Sequence, residues 1–239
     1  ASDWSSDVCS SDLDAISDQK STLPHMLPDP VAFASSMKKL GIGDIDTVVF
    51  YDGAGIYSAP RALWMMRAMG HTKAAVLDGG LPKWRREGRP VDAGAAVVPS
   101  RHFTPRPNDA IKRDLAAMRA NLASHAEQVL DARSPTRFRG EEQEPRPGVR
   151  AGHMPGSINV YYADVLTPEG TMRSPEELKR LFVSRGVDLG KPSVTSCGSG
   201  VTAAIVSLAL ETAGADSHAL YDGSWSEWGA ASGTPVETG

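Results

Sequence analysis

Apolar residues recur along this chain in two alternating rhythms. Pro30 follows Asp29 and opens a stretch in which Phe33, Met37 and Leu40 share one helical face, and Gly41 closes it. Residues 47–51 (TVVFY) then read as a buried strand, and residues 58–69 (SAPRALWMMRAM) as a largely apolar helix ended by Gly70. Residues 74–77 predict another strand. The stretch 89–107 holds Pro90, Pro99, Pro105 and Pro107 without a period, which predicts a linker over 91–108.

The rhythm resumes beyond it. A helix is expected around 111–122, then the strand QVLD over 128–131 and a shorter strand over 157–160. Ser174-Pro175-Glu176-Glu177 is a capping-box sequence that opens a helix through Leu178, Leu181 and Phe182 to Gly186. A strand over 193–196, an apolar helix over 201–213 ended by Gly214, and a last strand over 219–221 follow. Strands alternating with helices predict an α/β fold with parallel sheets flanked by helices.

The two halves are copies of one another. Aligning VVFYDGAGIYSAPRALWMMRAMG with SVTSCGSGVTAAIVSLALETAG sets Asp52 opposite Cys197 and LDGGLPKW opposite YDGSWSEW. Asp78 follows Asp52 by 26 positions and Asp222 follows Cys197 by 25; Trp84 and Trp228 each follow their Asp by 6. Chance likeness would not keep Asp-Gly and Trp in step, so the reading is a duplication. In the second copy, residues 129–162 precede Ala163-Asp164. The matching point of the first copy, near Asp14, has only ASDWSSDVCSSDL before it. Those thirteen residues show no period and look like translated adapter sequence or a disordered terminus; neither Cys9 nor Trp4 within them is assigned a role. The expected domains are therefore residues 14–90, incomplete and lacking opening strands, and residues 109–239.

Composition narrows the classes of function. Apolar residues make up 41% and charged residues 23%, near the globular average, which excludes wholesale disorder. No apolar run is long enough for a transmembrane helix, and no signal-peptide pattern opens the chain, so a cytoplasmic protein without a membrane partner is expected. A net charge of −4 without a long basic run offers nucleic acid no footprint. Two cysteines, Cys9 and Cys197, are too few for a disulfide framework or a zinc site, so no metal is expected.

Cys197 sits in Ser196-Cys197-Gly198-Ser199-Gly200-Val201-Thr202, after a strand and before a helix. That is where a doubly wound sheet places ligands. The glycines let successive N–H groups curl inward and the helix N-terminus adds positive potential, so an anion belongs there. A thiolate in such a cradle is a nucleophile.

With these residues in view, the chain resembles the tandem-domain rhodanese-type sulfurtransferases, and most of all the branch that draws sulfur from 3-mercaptopyruvate. The resemblance runs from Asp14 to Trp228. It is carried by CGSGVTA at 197–203, YDGAG and SAPR at 51–61, LDGG at 77–80, GHMPGSIN at 152–159 and YDGSW at 221–225. It implies two rhodanese-like domains, the first silent because Asp52 replaces the cysteine. It implies a cycle in which Cys197 accepts sulfane sulfur, pyruvate leaves, and the persulfide passes its outer sulfur to cyanide or to a thiol such as thioredoxin, with no cofactor. Thiosulfate-preferring members carry basic residues after the cysteine; Gly198 and Ser199 match the mercaptopyruvate kind.

The resemblance also assigns residues. Arg137 and Arg146 match two arginines that clamp the donor carboxylate, a group the guanidinium fork suits. Ser199, His25 and Asp14 match a proton relay in which a carboxylate fixes the imidazole tautomer. Gly198, Gly200, Val201 and Thr202 complete the substrate loop. Arg139 is expected to be structural or exposed, His153 to serve a turn, and Trp64, Trp84, Trp225 and Trp228 to pack.

Four other readings compete. Phosphatases on related folds use Cys-x5-Arg, but the sixth residue after Cys197 is Ala203, which removes the guanidinium a phosphoryl group needs. A thiosulfate sulfurtransferase remains the alternative enzyme. A rhodanese-like interaction module, or a catalytically impaired enzyme with an incomplete first domain, is the alternative from outside catalysis.

Overall fold

The computed structural model describes residues 10–92, 99–215 and 217–239, with only the backbone for 10–12. The chain forms two compact units. The first holds the residues up to Lys20, then Leu27–Asn108 and Pro168–Thr171; the second holds Ser21–Met26, Asp109–Thr167 and Met172–Gly239.

In the first unit, α1 (Ser10–Ile16) begins inside the Ser/Asp segment, where no helix is expected, because Leu13 and Ile16 fall on one face and are buried. Cys9 and Trp4 lie outside the described residues. Asp29 caps α2 (Pro30–Lys39) by accepting from the amides of Val31 and Ala32, both at 3.0 Å, and Phe33 and Met37 form its buried stripe. Strands β1 (Val48–Phe50) and β2 (Ala74–Val76) pair in parallel, and α3 (Ala59–Ala68), buried on nearly every side, connects them. They are the two strands among this unit's described residues. The unit also holds α4 (Gly80–Arg86).

The expected linker behaves differently over its second half. Residues 93–98 lie outside the described residues. Residues 99–108 run along the first unit: Phe103 is buried, edge-on to Phe33 with ring centroids 5.7 Å apart, and Arg106 and Asn108 donate backbone bonds to Met69 and Ala68, each at 2.8 Å. An aromatic ring with a pocket to fill outweighs the extending effect of the prolines.

The second unit has a five-stranded parallel sheet. Its strands are β3 (Lys112–Arg113), β4 (Gln128–Asp131), β5 (Ile158–Asn159), β6 (Ser193–Ser196) and β7 (His218–Tyr221), in the order β3-β7-β6-β4-β5. The helix expected over 111–122 begins later. Lys112 and Arg113 pair with Leu220 and Tyr221 as an edge strand, and Asp114 caps α5 (Leu115–Ser124) by accepting from Ala117 N at 2.8 Å. The strand expected over 157–160 shortens to β5. Short helices α6 (Pro135–Phe138) and α9 (Ser224–Trp228) had no periodic signal because they span only about one turn. The capping box of α7 (Pro175–Ser184) is formed, with Leu178 and Phe182 buried, and α8 (Val201–Thr212) is apolar almost all round and buried accordingly. Trp225 and Trp228 join Met118, Val129, Met154, Val194, Ala219 and Tyr221 in one core cluster.

The duplication persists in backbone detail. In each unit the residue two past the aspartate of the Asp-Gly turn is left-handed: Gly80 after Asp78 (φ 54°) and Ser224 after Asp222 (φ 50°). In each, the next residue donates to the strand-end carbonyl: Leu81 N to Asp52 O at 2.9 Å, Trp225 N to Cys197 O at 2.8 Å. The units differ in what fills the loop. The buried Asp52 carboxylate accepts from the amides of Tyr57 (2.8 Å), Ser58 (3.0 Å) and Ala59 (3.0 Å) and from the Ser58 hydroxyl. Asp52→Ala should remove the shared acceptor of those bonds, destabilising the first unit by about 2 to 4 kcal/mol. Hydrogen exchange at amides 57–59 checks it; unchanged protection there contradicts the assignment.

Candidate active site

Cys197 is the first residue past β6, at the carboxyl end of a strand lying between β4 and β7. In a parallel sheet that end is where loops converge and ligands bind. The thiol is free and buried. Its loop is fastened from one side by the first turn of α9. Trp225 N donates to the Cys197 carbonyl, while Ser226 N (2.9 Å) and Ser226 Oγ (2.5 Å) both donate to the Gly198 carbonyl.

This fastening orients the amides. A trans peptide holds C=O and N–H on opposite sides, so drawing the carbonyls of Cys197 and Gly198 toward α9 turns the N–H groups of Gly198 and Ser199 away from it. Gly200, left-handed at φ 79°, then leads into α8. Among the described residues, no protein acceptor takes the amides of Ser199, Gly200, Val201 or Thr202. The same strand–loop–helix passage that Asp52 fills in the first unit is thus open here, an anion cradle beside a thiol.

Two predicted residues meet this loop. His25 belongs to the Ser21–Met26 segment of the second unit, and its Nδ1 lies 3.1 Å from Ser199 Oγ. Arg137, from α6 after β4, reaches the loop at Gly198: a Cβ there would sit 3.2 Å from Arg137 Nη2, so glycine leaves room for the guanidinium. Arg146 is half-buried in the loop after α6, and Val201 and Thr202 form the first turn of α8. Asp14 is an exposed residue of α1 in the first unit, and its carbonyl accepts from Ser17 N at 3.3 Å.

Behind Arg137 stands a line of alternating charges that sequence reasoning missed. Asp131, at the end of β4, pairs with Arg133 at 2.6 Å; Arg133 Nη1 donates to Glu144 at 2.8 Å; Glu144 in turn accepts from Arg137. Burial works against the Arg133 charge, but Asp131 and Glu144 outweigh it and hold the guanidinium's pKa above its ordinary value. Arg133 also lies over the Trp225 ring, 4.3 Å from its centroid, and donates to the Gly152 carbonyl. Asn159 ties the backbone of the same strand end, donating to the carbonyls of Asp131 (3.0 Å) and Arg133 (2.9 Å). Ser224 and Ser226 were missed as well: within 221–228 only Trp225 and Trp228 were given a role, that of packing, yet Ser224 Oγ accepts from Cys197 N at 3.3 Å and donates to Tyr221 O at 2.9 Å. The signal available for them was the Asp-Gly register shared by the two copies.

The remaining expectations resolve simply. His153 stacks on Phe138 at 3.8 Å and hydrogen-bonds its carbonyl through Nδ1 at 2.8 Å, while Arg139 pairs with Glu141 near the surface. Trp64, Trp225 and Trp228 are buried and Trp84 is half-buried. Among the described residues no group of His, Cys, Asp and Glu is placed to hold a metal ion, and no helix is long and apolar enough to cross a membrane.

Comparison with known proteins bears on this geometry. The family model of the rhodanese-like domain matches residues 18–87 and 114–231. The chain is 44% identical over 229 residues to 3-mercaptopyruvate sulfurtransferase of Escherichia coli (strain K12), covering 95% of this chain and 80% of that protein. It is 43% identical over 219 residues to the human protein of that name, covering 91% and 74%. An Arabidopsis thaliana relative named thiosulfate/3-mercaptopyruvate sulfurtransferase 1, mitochondrial, is 40% identical over 248 residues, covering 95% and 65%. The crystal structure of SseA, a 3-mercaptopyruvate sulfotransferase from Escherichia coli, superposes with a TM-score of 0.81 at 40% identity, covering 90% of this chain and 80% of that one. Family match, identity and fold agree over both halves of the chain, which belongs to the rhodanese family.

Proposed function

We propose that the protein is a 3-mercaptopyruvate sulfurtransferase working through a persulfide on Cys197. The observation that carries this reading is the open amide cradle beside a buried thiol, with a guanidinium at Gly198 and a histidine on Ser199. Arg137, with Arg146 as the second cation, seats the donor carboxylate. The Cys197 thiolate attacks the donor sulfur; an S–S bond forms, the C–S bond breaks, and its electron pair passes to carbon, which takes up a proton as pyruvate leaves. The Ser199–His25 pair supplies that proton path, imidazole being the side chain suited to proton exchange. The loop amides stabilise negative charge on sulfur throughout.

In the second half-reaction a thiolate acceptor, thioredoxin being the protein class the resemblance names, attacks the outer persulfide sulfur and Cys197 leaves as thiolate. Cyanide takes the same sulfur to give thiocyanate. A reducing compartment such as the cytoplasm suits a nucleophile that must return to the thiolate. One observation favours thiosulfate as a second donor: the Arabidopsis relative's name includes both.

Two outcomes follow. Incubation with 3-mercaptopyruvate should add one sulfur atom to the peptide bearing Cys197, seen by mass spectrometry, and Cys197→Ser should abolish both the adduct and turnover, since a hydroxyl forms no persulfide. Substantial turnover by that variant would sink the assignment. His25→Gln should lower kcat with mercaptopyruvate by about 100-fold, the size of effect expected for general acid–base help. An unchanged kcat would remove His25 from the proton path.

A further inference from the structure

The surroundings of Glu144 carry a consequence for donor choice. Its side chain is only 3% exposed and receives two guanidinium groups. Oε1 accepts from Arg133 Nη1 at 2.8 Å and Arg137 Nε at 3.2 Å, and Oε2 accepts from Arg137 Nη2. Arg133 is committed to Asp131 on its other side, so four charges alternate in one line and cancel. Asp131 and Arg133 are wholly buried, while the Arg137 side chain keeps 22% of its surface and reaches the Cys197 loop.

Glu144 occupies the Nε–Nη2 edge of Arg137. The end turned to Gly198 is the one that carries Nη1 and Nη2, a two-point seat for a single carboxylate. Any donor bound there feels Arg137 as a hydrogen-bonding fork whose charge is already answered from behind. We infer that Glu144 is a positioning residue that fixes the charge of the donor: by neutralising Arg137 and holding its end on the loop, it fits the subsite to a monocarboxylate and disfavours a dianion. The inference rests on the proposed sulfur transfer from a mercapto acid and adds a source of selectivity beyond the uncharged Gly198 and Ser199. Removing the Glu144 charge makes the line net positive, and a dianion gains twice what a monoanion gains.

The test compares kcat/KM for 3-mercaptopyruvate and thiosulfate on the wild type, Glu144→Gln and Glu144→Asp. Glu144→Gln should raise the thiosulfate-to-mercaptopyruvate ratio about tenfold at low salt, and added salt should erode the gain. Glu144→Asp keeps the charge and should keep the wild-type ratio even where both rates fall. An equal fall with both donors in Glu144→Gln overturns the inference and leaves the proposed function standing. Absence of mercaptopyruvate turnover in the wild type overturns both. If Glu144→Gln loses the wild-type circular dichroism, inhibition of the wild type decides. Pyruvate should then inhibit mercaptopyruvate turnover more strongly than sulfate does, and the reverse order overturns the inference.

Discussion

Two carbonyl oxygens, those of Cys197 and Gly198, are held by the first turn of α9 through Trp225 N, Ser226 N and Ser226 Oγ. Peptide planarity converts that grip into the direction of the amides that follow, and so into the electrostatics of the cradle. The grip needs Ser224 in a left-handed conformation that a non-glycine residue adopts at a cost, offset by its hydroxyl bonds to Cys197 and Tyr221. It also needs α9 to stay in place, which the buried rings of Trp225 and Trp228 ensure. Arg150 locks the end of the helix by donating to the carbonyls of Trp228, Gly229, Ala231 and Thr234. Packing residues thereby govern the chemistry of a loop that they do not line.

The two units show one scaffold put to opposite ends. Both end a strand, fasten the first carbonyl to the residue after a left-handed turn, and enter a helix. In the first unit the strand-end residue is an anion whose own carboxylate gathers the loop amides, so the cradle is filled by the chain itself. In the second the strand-end residue is a thiol and the amides remain for a ligand. Asp52 thus puts a carboxylate where the second copy has a thiol, and that carboxylate also saturates the amide donors of its own loop.

Much of this was legible in the sequence because it rests on local rules. Strand-like apolar runs, the Asp29 cap, the capping box at Ser174 and the repeated Asp-Gly register each have short-range signatures, and they locate β6, α8 and Cys197 together. The edge strand β3 was hidden because Lys112 and Arg113 carry no strand pattern; only their pairing with Leu220 and Tyr221 makes them one. Phe103 was hidden by its prolines, and α1 by its Ser/Asp composition. At the site, Arg137 and His25 came from resemblance, not from period or spacing. Glu144, Ser224 and Ser226 came from neither, because their roles lie in side-chain contacts that follow no helix or strand period, or in an unusual backbone angle.

The alternating line from Asp131 to Arg137 explains why so many charges sit so deep. An isolated buried ion is strongly disfavoured, and a buried pair seldom stabilises a fold more than apolar residues of the same size would. Here Asp131 and Arg133 are wholly buried at the end of a central strand, where Arg133 also bonds the Gly152 carbonyl and stacks on Trp225. Such a line has little to add to stability that an apolar core would lack, but it has one property an apolar core cannot supply. It carries a rigid, fully bonded frame from the sheet interior to the Glu144 carboxylate, and that carboxylate holds Arg137 on two nitrogens. A guanidinium held so has already lost much of its freedom, and groups placed in advance are what catalysis in general exploits.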